Sequence, residues 1–147
     1  MNTPAIDARE PRDEQEWVRY YALRWQVLRQ PWQPHGPQRD ESDATAIHRL
    51  VCTPAGDVVA VGRLHRVDDT TGQIRYMAVA DGHERRGYGS RLLAALEQAA
   101  RELPVTTLIL QARQDAIPFY LHHGYARREK TFLLFGEIQH YLMRKAF

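Results

Sequence analysis

Residues 73–100 read QIRYMAVADGHERRGYGSRLLAALEQAA, and the chain is organised around them. The first part, 73–80, is an apolar, β-branched run that reads as a strand. The last part places Leu92, Leu96, Ala99 and Leu103 on one face, with Leu93 and Ala100 beside them, which predicts a helix over 91–103 ended by Pro104. Between them, Gly87 and Gly89 follow a strand and open a helix, where backbone amides are unpaired and the helix dipole favours an anion. Arg85 and Arg86 add positive charge to the same turn, so the pyrophosphate of a nucleotide-like cofactor is its natural guest. A glycine-rich helix start with solvated arginines is the plainer alternative. The P-loop pattern G-x-x-x-x-G-K-[ST] is absent, and the third glycine of the dinucleotide fingerprint is replaced by Leu92.

Working outward, two β-branched runs, Ala46–Thr53 and Val58–Val67, are separated by the turn PAGD and read as an antiparallel hairpin. The turn DDTTG then leads into the 73–79 strand, giving a three-stranded meander. Upstream, Asp13 offers an N-cap with Glu16 at the capping-box spacing. Trp17, Tyr20, Tyr21, Leu23, Val27 and Leu28 recur at helical intervals, and Pro31, Pro34, Gly36 and Pro37 close the helix near Arg29 in a stiff loop, PWQPHGPQRDESD. A short strand is expected around Ala5–Arg9. Downstream, Thr106–Ala112 reads as a central strand, Asp115–His123 as a short helix ended by Gly124, and Tyr125–Phe135 with Ile138–Lys145 as a closing pair of strands. The order of elements is an α+β mixture around one sheet, antiparallel on its first side.

Composition bounds the function. A chain of 147 residues with 44% apolar and 26% charged residues fits one soluble domain spanning 1–147 that needs no staple or metal. A formal charge of +2 demands neither nucleic acid nor an anionic membrane as partner. The single cysteine, Cys52, with apolar neighbours, excludes an internal disulfide and a cysteine-built zinc site and suits the cytoplasm. No long apolar span and no secretory leader is apparent. His122 and His123 are adjacent rather than one helical turn apart, so no metal is expected.

The stretch MAVADGHERRGYGSRLL (77–93) resembles the acyl-CoA-binding signature of the GNAT superfamily of N-acetyltransferases, Q/R-x-x-G-x-G/A, and AIPFYLHHGY (116–125) resembles its second signature, A-x-x-F-Y-x-x-x-G-F. YYALRWQVLRQPW (20–32), GRLH (62–65), IRYMAV (74–79) and FGEIQHYLM (135–143) resemble a bacterial subgroup that includes acetyltransferase-like domains fused to hotdog thioesterase domains. The resemblance implies the acyl-CoA N-acyltransferase fold, a mostly antiparallel twisted sheet of about six or seven strands flanked by about four helices. It implies acetyl-CoA as co-substrate and an amine on a small molecule or peptide as acceptor, attacked directly in a ternary complex. By the same resemblance, the backbone of Met77, Ala78 and Val79 bonds the pantetheine arm, and the amides of Arg85, Arg86, Gly87, Tyr88, Gly89 and Ser90 hold the pyrophosphate. Tyr120 would stand beside the sulfur as general acid, a contribution of ~10²-fold or less because a thiol with a pKa of about 8.5 already leaves well. A packed aromatic on a short helix is the alternative for Tyr120. Closing strands in such folds often pair across dimers, so a homodimer is compatible with the resemblance.

The sequence departs from the pattern at several positions. Glu84 stands where Gln or Arg is usual, and a carboxylate ~4 Å from phosphate would repel it by roughly 1 to 4 kcal/mol, so its side chain should point away or pair with an arginine. Arg113 stands where many relatives have Asn. Gln73 falls where some members carry a glutamate base, and an amide cannot accept a proton at neutral pH. By the strand period of two, Gln73, Arg75 and Met77 are expected on one face, so Arg75 would look into the site with Gln73 and bind an acidic acceptor or lower the pKa of an amine. Replacement bases are Glu41 in the long loop, His48 and His65 on the hairpin, and His140 on the last strand. His140 leads, because the turn from Gly136 into the closing strand resembles the subgroup near its acceptor site. Trp17 and Tyr21 are expected in the core, and Arg24 and Arg29 as solvated residues. A non-catalytic CoA-binding or partner-binding module, lacking a base, is the rival to an enzyme.

Overall fold

The computed structural model describes residues 7–147. Seven strands form one sheet in the order β1-β2-β3-β4-β5-β7-β6, running β1 (Asp7–Arg9), β2 (Ile47–Cys52), β3 (Val58–Arg66), β4 (Thr71–Val79), β5 (Thr107–Arg113), β6 (Ala126–Leu134) and β7 (Ile138–Ala146). Ala5 and Ile6 of the expected first strand lie outside the described residues. The meander β2-β3-β4 is antiparallel as its turns dictate. β4 and β5 are the parallel pair, joined by the crossover helix α2 (Tyr88–Arg101). The described residues hold three α-helices, α1 (Glu14–Leu28), α2 and α3 (Ile117–His122), with two short 3-10 segments, Glu41–Thr45 and Gln114–Ala116, in place of about four helices. None is long and apolar enough to cross a membrane.

Local chemistry sets these boundaries. α1 begins where the Asp13 carboxylate accepts from the Glu16 amide at 2.8 Å, as the capping spacing predicts. The Glu16 carboxylate then reaches past the cap to the Arg12 amide and pairs with Arg9, tying α1 to β1. α2 begins earlier than its apolar period suggests, because Gly87 takes the left-handed conformation (φ 83°) at its N-cap and the chain turns there.

The two faces of the sheet have separate cores. α2 lays Leu92, Leu93, Leu96, Ala99 and Ala100 against Val51, Leu64, Ile74, Leu108, Leu110 and Met143. Each such leucine, fully buried, contributes roughly 1.5–3 kcal/mol. α1 covers the other face with Tyr20, Tyr21 and Leu23 against Leu50, Cys52, Val61 and Ala78, and Trp17 packs at the edge of this cluster. Gly62 is required at the α2 contact, since a Cβ there would lie 2.9 Å from Leu96 and 3.1 Å from Met77.

Opposite Gly62, β4 carries an extra residue. The register passes from Arg63↔Arg75 directly to Val61↔Ala78, and Tyr76 has φ 57°. This bulge breaks the strand's alternation, correcting the expected common face for Gln73, Arg75 and Met77. Gln73 and Arg75 stay on the α1 side, opposite His65 and Arg63. Met77 turns to the α2 side.

Candidate active site

The cleft comes from a change of strand partners. β4 and β5 are paired only from Thr71↔Thr107 to Ile74↔Leu110. Beyond that point β4 follows β3 as far as Val79, while β5 follows β7 as far as Arg113. The two central strands therefore separate, and the β5-facing edge of 75–79 is left without a sheet partner. Polar backbone bordering an opening in the middle of a sheet needs a ligand or water.

At the far end of this edge lies the 81–90 turn. The amides of Tyr88, Gly89 and Ser90 open α2, ahead of the Arg91 amide that donates to the Gly87 carbonyl at 3.1 Å, so they belong to the first turn, where no preceding helical carbonyl serves them. Positive φ at Gly82, Arg85 and Gly87, interspersed with ordinary residues, folds the turn so that its amides converge as in an anion nest. Arg85 and Arg86 are exposed. The Glu84 carboxylate accepts from the Gly82 amide at 2.9 Å, so it bends back along the turn, as the repulsion argument requires. Gly89 lies under the Phe119 ring, 3.4 Å from where a Cβ would stand, which docks α3 beside the start of α2. Ser90 Oγ and His123 Nε2, 2.9 Å apart, join the same two helices.

α3 brings Tyr120 to the cleft, where its hydroxyl donates weakly to the Met77 sulfur across 3.5 Å. Burial raises the Tyr120 pKa, so the phenol keeps its proton at neutral pH and can donate it. On the other side of the opening, His140 on β7 sits opposite Arg113 on β5. Its Nδ1 lies 3.0 Å from the Ile138 carbonyl and must therefore carry the hydrogen, which leaves the Nε2 lone pair free as an acceptor. The ring stacks on Phe132 at 4.4 Å, and burial, with Arg113 nearby, lowers its pKa and keeps the imidazole neutral.

The α1 side of the cleft is built from side chains. Arg24, expected in solvent, is 4% exposed and grips Asp43 through both Nη atoms at 2.9 and 2.7 Å. Arg63, 0% exposed, donates to Asp43 and Asp40, and Tyr76 donates its hydroxyl to Asp40 at 2.6 Å. The Tyr76 ring lies between the guanidinium groups of Arg24, Arg63 and Arg75, each within 4.8 Å of its centroid. Burial opposes ionisation of Asp43, but hydrogen bonds from Arg24, the Asp40 amide and Arg63 outweigh it and hold the carboxyl well below its usual range. Further along, the Pro-rich loop reaches the β6–β7 turn. Trp32 stacks on Phe135 at 5.5 Å, donates its indole N–H to Glu137 at 2.9 Å, and receives Arg113 over its ring at 5.2 Å.

Of the expected bases, His48 is removed from the list. Its Nε2 donates to the Asp43 carbonyl at 2.8 Å and its Nδ1 meets the Tyr20 hydroxyl at 2.7 Å, so both nitrogens are engaged inside the core. His65 faces the α1 side on β3, a strand further from the opening, with burial, Arg63 and Arg75 lowering its pKa. Glu41 is exposed at the start of the 3-10 segment, and the carboxylates the fold recruits are its neighbours Asp40 and Asp43. Gln73 and Arg75 lie on the α1 side of the sheet, separated by the bulge from Met77 and Val79 on the α2 side. Ala78 packs on the α1 side, so only its backbone can serve the cleft. Among the described residues there is no cluster of histidine, cysteine or carboxylate groups able to hold a metal. The missed network had one signal in the sequence: an arginine at 63 inside the apolar run VVAVGRL needs a buried counter-ion, and D-x-x-D at 40–43 supplies two carboxylates.

The fold is shared with known proteins. Residues 17–125 match the Acetyltransferase (GNAT) family. The chain is 34% identical, over 76% of its length and 79% of the relative's, to the N-acetyltransferase YjcF of Bacillus subtilis, whose function is uncharacterised. The fold superimposes on a crystal structure of an N-acetyltransferase from Lactobacillus plantarum with a TM-score of 0.80 at 18% identity, covering 97% of this chain and 99% of that one. It superimposes on a GNAT acetyltransferase from Elizabethkingia anophelis with acetyl-CoA bound, with a TM-score of 0.66 at 16% identity, covering 84% and 90% of the two chains. These proteins bear on the family as a whole and not on the narrower likeness to thioesterase-fused domains. This chain belongs to the GNAT family of acetyltransferases.

Proposed function

We propose that this chain transfers an acetyl group from acetyl-CoA to a primary amine by direct attack within a ternary complex. The observation that carries the reading is the alignment of three things along one opening: the edge of β4 beyond its last pair with β5, the glycine-containing turn that opens α2 and the Tyr120 hydroxyl. The residues fit the cofactor. Gly87 leaves open space where a side chain would stand, so a pyrophosphate can approach the turn, and Arg85 and Arg86 flank it. The pantetheine arm would continue the sheet along Met77, Ala78 and Val79.

In this reading the neutral amine attacks the thioester carbonyl carbon, a C–N bond forms, and the C–S bond breaks on collapse of the tetrahedral intermediate. Tyr120 gives its proton to the departing thiolate. His140 Nε2, directly or through a water, takes the proton from the amine nitrogen. Cys52 is buried on β2 in the α1-side core, which supports attack by the acceptor rather than by an enzyme thiol.

Acetyl-CoA should raise the melting temperature, since a ligand at 100 times its Kd adds about 2.7 kcal/mol to stability. Thiol release with a panel of amines should then exceed background. An unchanged melting temperature at millimolar acetyl-CoA would sink the reading. Stabilisation with thiol release at background across the panel would support a CoA-binding module instead.

A further inference from the structure

Resting on that acyl-transfer reading, we propose that the acceptor is a small amine carrying a carboxylate, received by Arg75 and Arg113 on the α1 side of the opening between β4 and β5. Arg75 is the first residue of β4 beyond the last β4–β5 pair, Ile74↔Leu110, and Arg113 ends β5 on the opposite bank. Both lie on the α1 side of the sheet: Arg75 stands opposite Arg63 and over Tyr76, and Arg113 stands opposite His140 and over Trp32.

The charges on this side do not balance. Asp40 and Asp43 are committed to Arg24 and Arg63, and Glu137 accepts from the Trp32 indole. Among the described residues, neither Arg75 nor Arg113 has a hydrogen bond or an ion pair with any carboxylate. Arg75 faces Arg63 across the β3–β4 ladder, and the carboxylates beside that pair, Asp40 and Asp43, are bonded to Arg63 and Arg24 rather than to Arg75. Inside the same face, Nε and Nη2 of the fully buried Arg63 have no partner. Burial lowers the pKa of Arg113 with Asp115 as the opposing influence, the condition of a desolvated cation short of a counter-ion. A carboxylate is the planar anion that a guanidinium binds through two parallel hydrogen bonds. A small molecule is favoured over a protein segment because the Pro-rich loop, pinned by Trp32 to Phe135 and Glu137, spans this side of the sheet.

The test pairs each acid with its neutral amide, for example β-alanine with β-alaninamide and glycine with glycinamide, and measures kcat/KM for thiol release with acetyl-CoA. An acidic peptide with a free N-terminus is run alongside. Arg75 is exposed and Arg113 half-buried, so in the wild-type protein the acid should exceed the amide by about 10-fold, the worth of a charge-assisted hydrogen bond at a partly solvated site. In Arg75→Gln and in Arg113→Gln that ratio should fall toward unity, mainly through KM, with partial recovery in the lysine variants. The acetyl-CoA-induced rise in melting temperature should persist in both, showing that they fold and hold cofactor. Equal rates for acid and amide, a ratio that survives both substitutions, preference for the peptide, or no turnover of any amine by a protein that acetyl-CoA stabilises would overturn the proposal while cofactor binding stands. A wild-type protein that acetyl-CoA fails to stabilise would overturn the acyl-transfer reading, and this proposal with it.

Discussion

The two halves of the cleft are made of different material. The half proposed to hold the cofactor is backbone: the edge of β4 beyond its last pair with β5, a turn with three left-handed residues and the first turn of α2. The half proposed to receive the acceptor is side chain: Arg24, Asp43, Arg63, Asp40 and Tyr76 bonded in series, with Trp32 closing against the β6–β7 turn. Backbone donors work whatever residue carries them, so the first half tolerates Glu84 in an unusual place. The second half depends on each partner being present. Removing one member leaves a buried charge uncompensated, so Asp43→Ala should lower the unfolding free energy by about 3–5 kcal/mol in chemical denaturation. A loss under 1 kcal/mol would mean that water already reaches Arg24 and Arg63, and that the two halves differ less than their contacts suggest.

The same distinction explains what could be read before folding. Glycines at 87 and 89, the arginines beside them and the leucine period of α2 are local signals, and each has its expected place. The closing strands and the meander were equally legible from turn residues and alternation. The acceptor half is assembled from residues 19 to 105 positions apart, and nothing local ties Arg24 to Asp43 or Trp32 to Glu137. The period-two argument failed at Tyr76 for a physical reason. A bulge there is permitted by the absent Gly62 side chain across the ladder, and only the pairing reveals it. Arg24 was misread for a related reason: arginine on a helix is ordinarily solvated, and its counter-ion comes from a loop whose path the sequence does not disclose.

The next largest effect should come from Tyr120, the proton donor proposed for the leaving thiolate. Tyr120→Phe keeps the ring in its place in the core and removes the proton donor, so kcat should fall by up to ~10²-fold, about 2.7 kcal/mol of barrier, with the acetyl-CoA KM unchanged. Equal losses in affinity and turnover would make Tyr120 a packing residue. His140→Gln should cost about tenfold, since water can still take the amine proton. Its signature is in the pH profile. Because burial holds the folded pKa of His140 below the usual 6.5, the acid-side fall in kcat/KM that amine protonation imposes should steepen as pH drops through that lowered value, and the variant should lose this added slope. Stability follows the same sign: the unfolded chain takes the proton first, so the contribution of neutral His140 is present above pH ~6.5 and is lost below it. An unchanged acid limb in the variant would shift the base to His65.

The smallest effects separate backbone from side chain within one turn. Gly87 has φ 83° with nothing within 4 Å of its missing Cβ, so Gly87→Ala meets no clash and acts only through the cost of a left-handed alanine, about 1 kcal/mol. If the turn relaxes to relieve that cost, its amides cease to converge, and acetyl-CoA affinity should drop by roughly fivefold in calorimetric titration. Glu84→Ala, three residues earlier, removes a carboxylate whose partner among the described residues is the Gly82 amide, and both stability and affinity should stay within about 0.5 kcal/mol. A larger response at Glu84 than at Gly87 would show that the turn holds its shape through a side chain after all, and the cofactor half would then resemble the acceptor half in kind.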